Sequence, residues 1–86
     1  MKISAVIITF NEEDRLEDAL ISCSGIADEI IVVDSFSTDK TAEIAKKNGA
    51  VVIQRIFKDY GDQKNFAMKQ ATNNWILNLD ADERVL

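Results

Sequence analysis

Trp75-Ile-Leu-Asn-Leu-Asp-Ala-Asp-Glu83 is an apolar run of strand length that ends in carboxylates. Trp75, Ile76, Leu77 and Leu79 carry the run, and Asn78 is its one polar interruption. Asp80, Asp82 and Glu83 follow at the carboxyl end. In an open α/β sheet, ligands bind in the crevice outside the carboxyl ends of the strands. An Asp-x-Asp at such an end can hold a hard divalent cation through oxygen, and the cation can carry a diphosphate. The sequence stops three residues later, at Leu86, so an active-site edge is expected at the end of the chain.

Outward from this stretch, three more buried-strand runs precede it. Ser4-Ala-Val-Ile-Ile-Thr-Phe10 is continuous and β-branched, as in buried parallel strands. Glu29-Ile-Ile-Val-Val-Asp34 is the second and ends on another carboxylate, and Ala50-Val-Val-Ile-Gln54 is the third. Helical patterns lie between them. Leu16, Ala19, Leu20 and Cys23 share a helix face within 12–24, and Gly25 suits its end. A second helix is expected over 39–47, capped by Ser37 or Thr38, with Ala42, Ile44 and Ala45 inward. Lys46 and Lys47 complement its dipole, and Asn48-Gly49 stops it. Asp62 is expected to cap a third helix reaching about Asn73 and burying Phe66, Ala67 and Ala71.

The order β-α-β-α-β-α-β, with short connections, predicts one α/β domain over 1–86: a Rossmann-like, three-layer parallel sheet with right-handed crossovers. The expected strand order is 3-2-1-4. Its switch point between strands 1 and 4 brings Phe10 to Glu12, Asp34 and Asp80 to Asp82 to one rim. Neither a G-x-G-x-x-G after strand 1 nor a Walker A motif is present, so any nucleotide is expected to be held through metal.

Composition narrows the classes. Eighty-six residues make one small domain with a modest core. No apolar run is long enough to cross a bilayer, and no cleavage site follows the first apolar stretch, so the expected location is cytoplasmic. A single cysteine, Cys23, makes no intramolecular disulfide, consistent with a reducing compartment. A net charge of −5 argues against general nucleic-acid binding. The absence of histidine removes the commonest general base and transition-metal ligand.

Four segments, in order, carry a resemblance: Val6-Ile-Ile-Thr-Phe-Asn-Glu12, Ile30-Ile-Val-Val-Asp-Ser-Phe-Ser-Thr-Asp-Lys-Thr41, Gly61-Asp-Gln-Lys-Asn-Phe-Ala67 and Ile76-Leu-Asn-Leu-Asp-Ala-Asp-Glu83. Together they resemble the nucleotide-sugar-binding half of family 2 glycosyltransferases of the GT-A fold. Asp-Ala-Asp-Glu and Asp-Ser-Phe-Ser-Thr-Asp look most like bacterial lipopolysaccharide-core glucosyltransferases. The resemblance implies that Thr9, Phe10, Asn11 and Glu12 wrap uridine and ribose, and that Asp34 accepts the uracil N–H. It further implies that Lys64 lies near the nucleotide and phosphates, that Asp80 faces ribose and sugar, and that Asp82 binds Mg²⁺ or Mn²⁺ bridging the diphosphate. The implied donor is a UDP-sugar, and the implied acceptor is a saccharide or lipid-linked sugar, which leaves room for membrane association of a longer parent. Family members continue beyond the Asp-x-Asp strand, where the acceptor site and general base lie. No catalytic residue is therefore assigned here, and an inactive N-terminal fragment of an inverting enzyme is expected.

Blander readings stand beside these. Asp80 and Asp82 also suit a solvated turn, Glu12 and Asp39 a helix start, and Lys64 an exposed helix turn. Arg55 reads as a surface charge, while Cys23 and Trp75 read as core. Phe57 and Tyr60 either cover a sheet edge or line a pocket. Two other functions compete. Haloacid-dehalogenase-like phosphatases also place Asp-x-Asp after a strand, which would make Asp80 a nucleophile and Asp82 the acid/base, but there the motif lies on the first strand. Alternatively, the chain is an assembly module that binds no nucleotide and forms homo-oligomers through the unpaired edge of strand 4.

Overall fold

The structure, a computed structural model, describes residues 2–80. Four strands and three helices alternate: β1 (Ile3–Thr9), α1 (Leu16–Ser24), β2 (Glu29–Asp34), α2 (Thr41–Lys47), β3 (Val51–Gln54), α3 (Tyr60–Gln70) and β4 (Trp75–Asp80). All strand pairs are parallel, in the order β3-β2-β1-β4 expected from the sequence.

Side chains alternate across each strand, so the sheet has two apolar faces. Ala5, Ile7, Val32 and Leu79 point to one, where Leu16, Leu20 and Cys23 of α1 and Ala45 of α2 cover them. Val6, Ile31 and Val33 point to the other and pack against Ala67 of α3, with Phe66 and Ala71 partly buried beside them. The continuous apolar runs are explained by this coverage of both faces. Cys23 is fully buried in the core, and burial pushes its thiol pKa up. It is packing rather than a nucleophile.

Four sequence expectations are corrected at element ends. α1 begins at Leu16, not Glu12, because Glu12 to Arg15 forms a separate turn in which Arg15 N–H and Leu16 N–H donate to the Glu12 carbonyl. α3 is capped by Asp59, not Asp62. Asp59 is extended, at φ −158° and ψ 170°, and accepts from the Asp62 N–H. Its helix ends at Gln70, three residues short of the expected Asn73. Before α2, neither Ser37 nor Thr38 caps; the Asp39 carboxylate instead takes the Thr41 N–H at 2.9 Å.

Trp75 is also corrected. It is 61% exposed rather than core, because it opens β4 at the sheet edge, where β1 is the sole partner strand among the described residues.

At the amino end of the strands, Glu29 ties three segments together. It accepts from Ser4 Oγ at 2.7 Å and from Thr72 N–H at 2.9 Å. The Thr72 N–H first, and the Ser4 hydroxyl second, hold the Glu29 carboxyl below its ordinary pKa. A lowered folded-state pKa contributes stability above the ordinary glutamate range, and that stability is lost as pH falls through the folded value. Wild-type urea midpoints should therefore decline between about pH 6 and pH 3 more steeply than those of Glu29→Gln. Parallel declines would remove Glu29 from the acid response.

Candidate functional site

A cleft of about 990 Å³ opens at the carboxyl ends of β1 and β4. Its lining comes from every segment that the parallel topology delivers to this end. Ile8, Thr9 and Phe10 close β1, Asp80 closes β4, and Glu12 follows β1. Ser35 and Phe36 come from the β2–α2 loop, Ile56 and Phe57 from the β3–α3 loop, and Tyr60 and Lys64 from the first turns of α3. Tyr60 and Lys64 are four residues apart, the spacing that stacks side chains on one helix face. The Phe57 and Tyr60 rings meet edge to face, with centroids 5.2 Å apart and planes at 78°. These two aromatics thus line the pocket, which the sequence left undecided.

The chemistry of the lining is mixed. Phe10, Phe36, Ile56, Phe57 and Tyr60 are exposed and offer apolar surface for a flat ring. Lys64 is the lining cation, and Glu12 and Asp80 are the lining acids. Mg²⁺ typically takes one or two carboxylates together with substrate phosphates, so hard oxygen donors at this rim suit such an ion. Among the described residues no three acidic, histidine or cysteine side chains converge as a preformed cation cage. Asp82 and Glu83 lie outside the described residues.

Of the residues singled out from sequence, Thr9, Phe10, Glu12, Lys64 and Asp80 are brought together on this cleft. Asn11 and Asp34 are not among its lining residues. Asp34 is fully buried, and its carboxylate is taken up within the protein. Oδ1 accepts from Thr9 Oγ1 at 2.6 Å and from Ser37 Oγ at 2.5 Å, while Oδ2 accepts from the Ser37 N–H at 2.9 Å. Ser37 Oγ in turn accepts the Asn11 N–H, and Asn11 Oδ1 accepts the Thr38 N–H at 2.9 Å. Further along, the Glu12 N–H donates to Thr41 Oγ1, the Glu13 N–H to Asp39, and the Lys40 N–H to Glu13. The loops after β1 and β2 are thereby clasped together.

This clasp holds unusual backbone on the cleft side. Asn11 and Phe36 sit at φ +50° and +54°. A left-handed phenylalanine costs on the order of 1 kcal/mol or more and persists where its surroundings over-determine it. Here the Phe36 N–H is fixed on Gln54 Oε1 at 2.9 Å.

Arg55 is not the free surface charge that the sequence suggested. Its Nη1 lies 2.7 Å from Asp62 Oδ2, donates to Gln63 Oε1 at 2.9 Å, and its guanidinium stacks 4.4 Å from the Phe66 ring centroid. The Arg55 hydrogen bond, acting before charge attraction, lowers the pKa of the half-buried Asp62 carboxyl. Gln63 is fully buried and reaches Ser35 Oγ. Ser35, Phe36, Ile56 and Gln63 were missed as site residues. Only the pairing of loops that are distant in sequence reveals them.

Comparison with known proteins bears on the family and the fold. The model of glycosyl transferase family 2 matches residues 4–86. An uncharacterized glycosyltransferase of Rickettsia bellii is 55% identical over 84 residues, 98% of this chain and 29% of its own. The lipopolysaccharide core biosynthesis glycosyltransferase LpsC of Rhizobium meliloti is 38% identical over 99% of this chain and 33% of its own. This chain thus spans about a third of the length of these relatives. Glucosyl-3-phosphoglycerate synthase of Mycobacterium tuberculosis, in complex with uridine diphosphate, superposes with a TM-score of 0.84 at 28% identity, over 95% of this chain and 34% of that one. The same synthase with Mn²⁺, UDP-glucose and phosphoglyceric acid gives a TM-score of 0.81 at 27% identity, over 93% of this chain and 33% of that one. The chain belongs to glycosyl transferase family 2.

Proposed function

We propose that this chain forms the donor-binding part of an inverting glycosyltransferase that moves a sugar from a UDP-sugar to a saccharide or lipid-linked acceptor. The observation that carries this reading is the cleft at the carboxyl ends of β1 and β4, with aromatic walls, one lysine and acids at its rim. Aromatic faces suit the base, and Lys64 suits the phosphates as a mobile point charge. Family membership and the UDP complexes of similar folds support the nucleotide. Similarity to LpsC supports lipopolysaccharide core assembly as the setting.

Asp82 would hold Mg²⁺ or Mn²⁺, and Asp80, two positions earlier in the sequence, would face ribose and sugar. The ion, when bound, neutralises charge that builds on the departing diphosphate. Neighbouring folds that hold Mn²⁺ or Mg²⁺ with UDP support use of a divalent cation. The chain's own part is to bind the nucleotide, orient it along the rim and shield it from water. The acceptor hydroxyl's general base is expected beyond this chain.

Lys64→Ala is expected to weaken UDP binding about tenfold and uridine binding little, since the lysine faces phosphate rather than base. Fluorescence titration of both ligands checks this. Equal losses for uridine and UDP would move Lys64 off the phosphates.

The exposed β4 edge, with Trp75 and Ile76 open to solvent, favours a second reading as a self-assembling module. Light scattering that shows a strictly monomeric species at high concentration counts against it.

A further inference from the structure

The cleft contains a hydrogen-bond donor whose direction is set from outside it. Arg55 can only donate, because a guanidinium has no acceptor. Its Nη1 is 2.9 Å from Gln63, so the contacting Gln63 atom is the amide oxygen. The other amide atom is then the nitrogen. It lies 3.3 Å from the Arg55 carbonyl, which can only accept. Two obligate partners thus fix the orientation of the Gln63 amide. Gln63 is fully buried, so water does not compete for these bonds. The same Nε2 lies 3.0 Å from Ser35 Oγ and donates to it.

Ser35 Oγ therefore spends a lone pair on Gln63. Its single O–H remains, and among the described residues no protein acceptor takes it. Ser35 lines the cleft. We propose that Arg55 and Gln63 are positioning residues that turn the Ser35 hydroxyl into a dedicated donor, so that the cleft selects an acceptor oxygen of the nucleotide at this point. The inference rests on the proposed donor-nucleotide reading and adds a polarity to it. Arg55 also binds Asp62 and stacks on Phe66, which anchors the relay to α3.

Gln63→Glu tests the polarity with almost no change in shape. The new carboxylate still accepts from Arg55, now as an ion pair, so folding is expected to persist. It can no longer donate to Ser35. The Ser35 O–H then turns to the carboxylate, and its lone pairs face the ligand acceptor. UDP affinity, measured by titration calorimetry on protein shown folded by circular dichroism, should fall about twentyfold in Gln63→Glu. It should fall about fivefold in Ser35→Ala and stay near wild type in Ser35→Thr, which keeps the hydroxyl.

The double variant is the decisive arm. Removing the misdirected hydroxyl should raise affinity from the Gln63→Glu level to the Ser35→Ala level, a non-additive result that simple destabilisation does not produce. Uridine distinguishes the sources of the acceptor. A Ser35→Ala loss shared by uridine and UDP places it on the nucleoside, and a loss confined to UDP places it on the diphosphate. Wild-type affinity in Gln63→Glu, or additive losses in the double variant, overturns the relay alone. A folded wild type that binds no UDP overturns the donor-nucleotide reading and the relay together.

Discussion

Asp34→Ala is expected to lower the unfolding free energy by about 3 kcal/mol, the largest effect of any single polar residue here. The carboxylate is fully buried and accepts three hydrogen bonds, from Thr9 Oγ1, Ser37 Oγ and the Ser37 N–H. Truncation leaves the buried Thr9 hydroxyl and the part-buried Ser37 hydroxyl and N–H without this partner, where an unsatisfied buried group costs about 1–3 kcal/mol and water and relaxation recover part. For a domain of this size, whose total stability is roughly 5–10 kcal/mol, that is a large share. The effect should also reach the cleft. Ser37 holds Asn11, and Asn11 holds Thr38, so the clasp behind Phe10 and Phe36 loosens with it. Asp34→Asn keeps one acceptor oxygen and should fall between. Urea unfolding measures both. A loss below about 1 kcal/mol in Asp34→Ala would mean that the clasp is not held by this carboxylate.

Asp82→Ala is expected to have the largest effect on binding. If Asp82 carries the cation that bridges the diphosphate, its removal should cost about a hundredfold in Mn²⁺-dependent UDP affinity. Binding without metal should change little, because uridine contacts on the aromatic walls are untouched. Titration of UDP into wild type and variant, each with and without Mn²⁺, separates the two terms. Unchanged metal dependence in the variant would move the cation site away from Asp82. Asp82 lies outside the described residues, so this prediction stands on the Asp-x-Asp pattern after β4 and on the family resemblance.

Much of the fold was legible because its signals are local. The continuous β-branched runs around Val6 and Ile31 read as strands covered on both faces, the run around Val52 as a further strand, and the helices between them imply parallel pairing. What misled were choices between equivalent residues. Asp59 and Asp62 both suit a cap, and the backbone at Asp59, with Arg55 waiting beside Asp62, decides between them. Glu12 suits a first helical turn, but the amides of that stretch are used by Thr41 and Asp39 from another loop. Trp75 has the composition of core and the position of an edge.

The cleft was legible where strand ends dictate it, at Phe10, Glu12 and Asp80, and at Thr9 and Lys64 through the resemblance. Asp34 illustrates the limit. Its place at a strand end is visible in sequence, but its hydrogen bonds depend on Thr9, twenty-five positions away, and on the turn at Ser37. The Arg55–Gln63–Ser35 relay is less visible still, because its members have ordinary surface compositions and meet only through the packing of α3 on the sheet.

These residues are expected to form a donor-nucleotide site that depends on a divalent cation. Titration calorimetry of UDP into the folded wild-type protein, with and without Mn²⁺, tests it most directly. Binding is expected to strengthen at least about tenfold when Mn²⁺ is added. Absence of UDP binding in both conditions, on protein shown folded by circular dichroism, would contradict it.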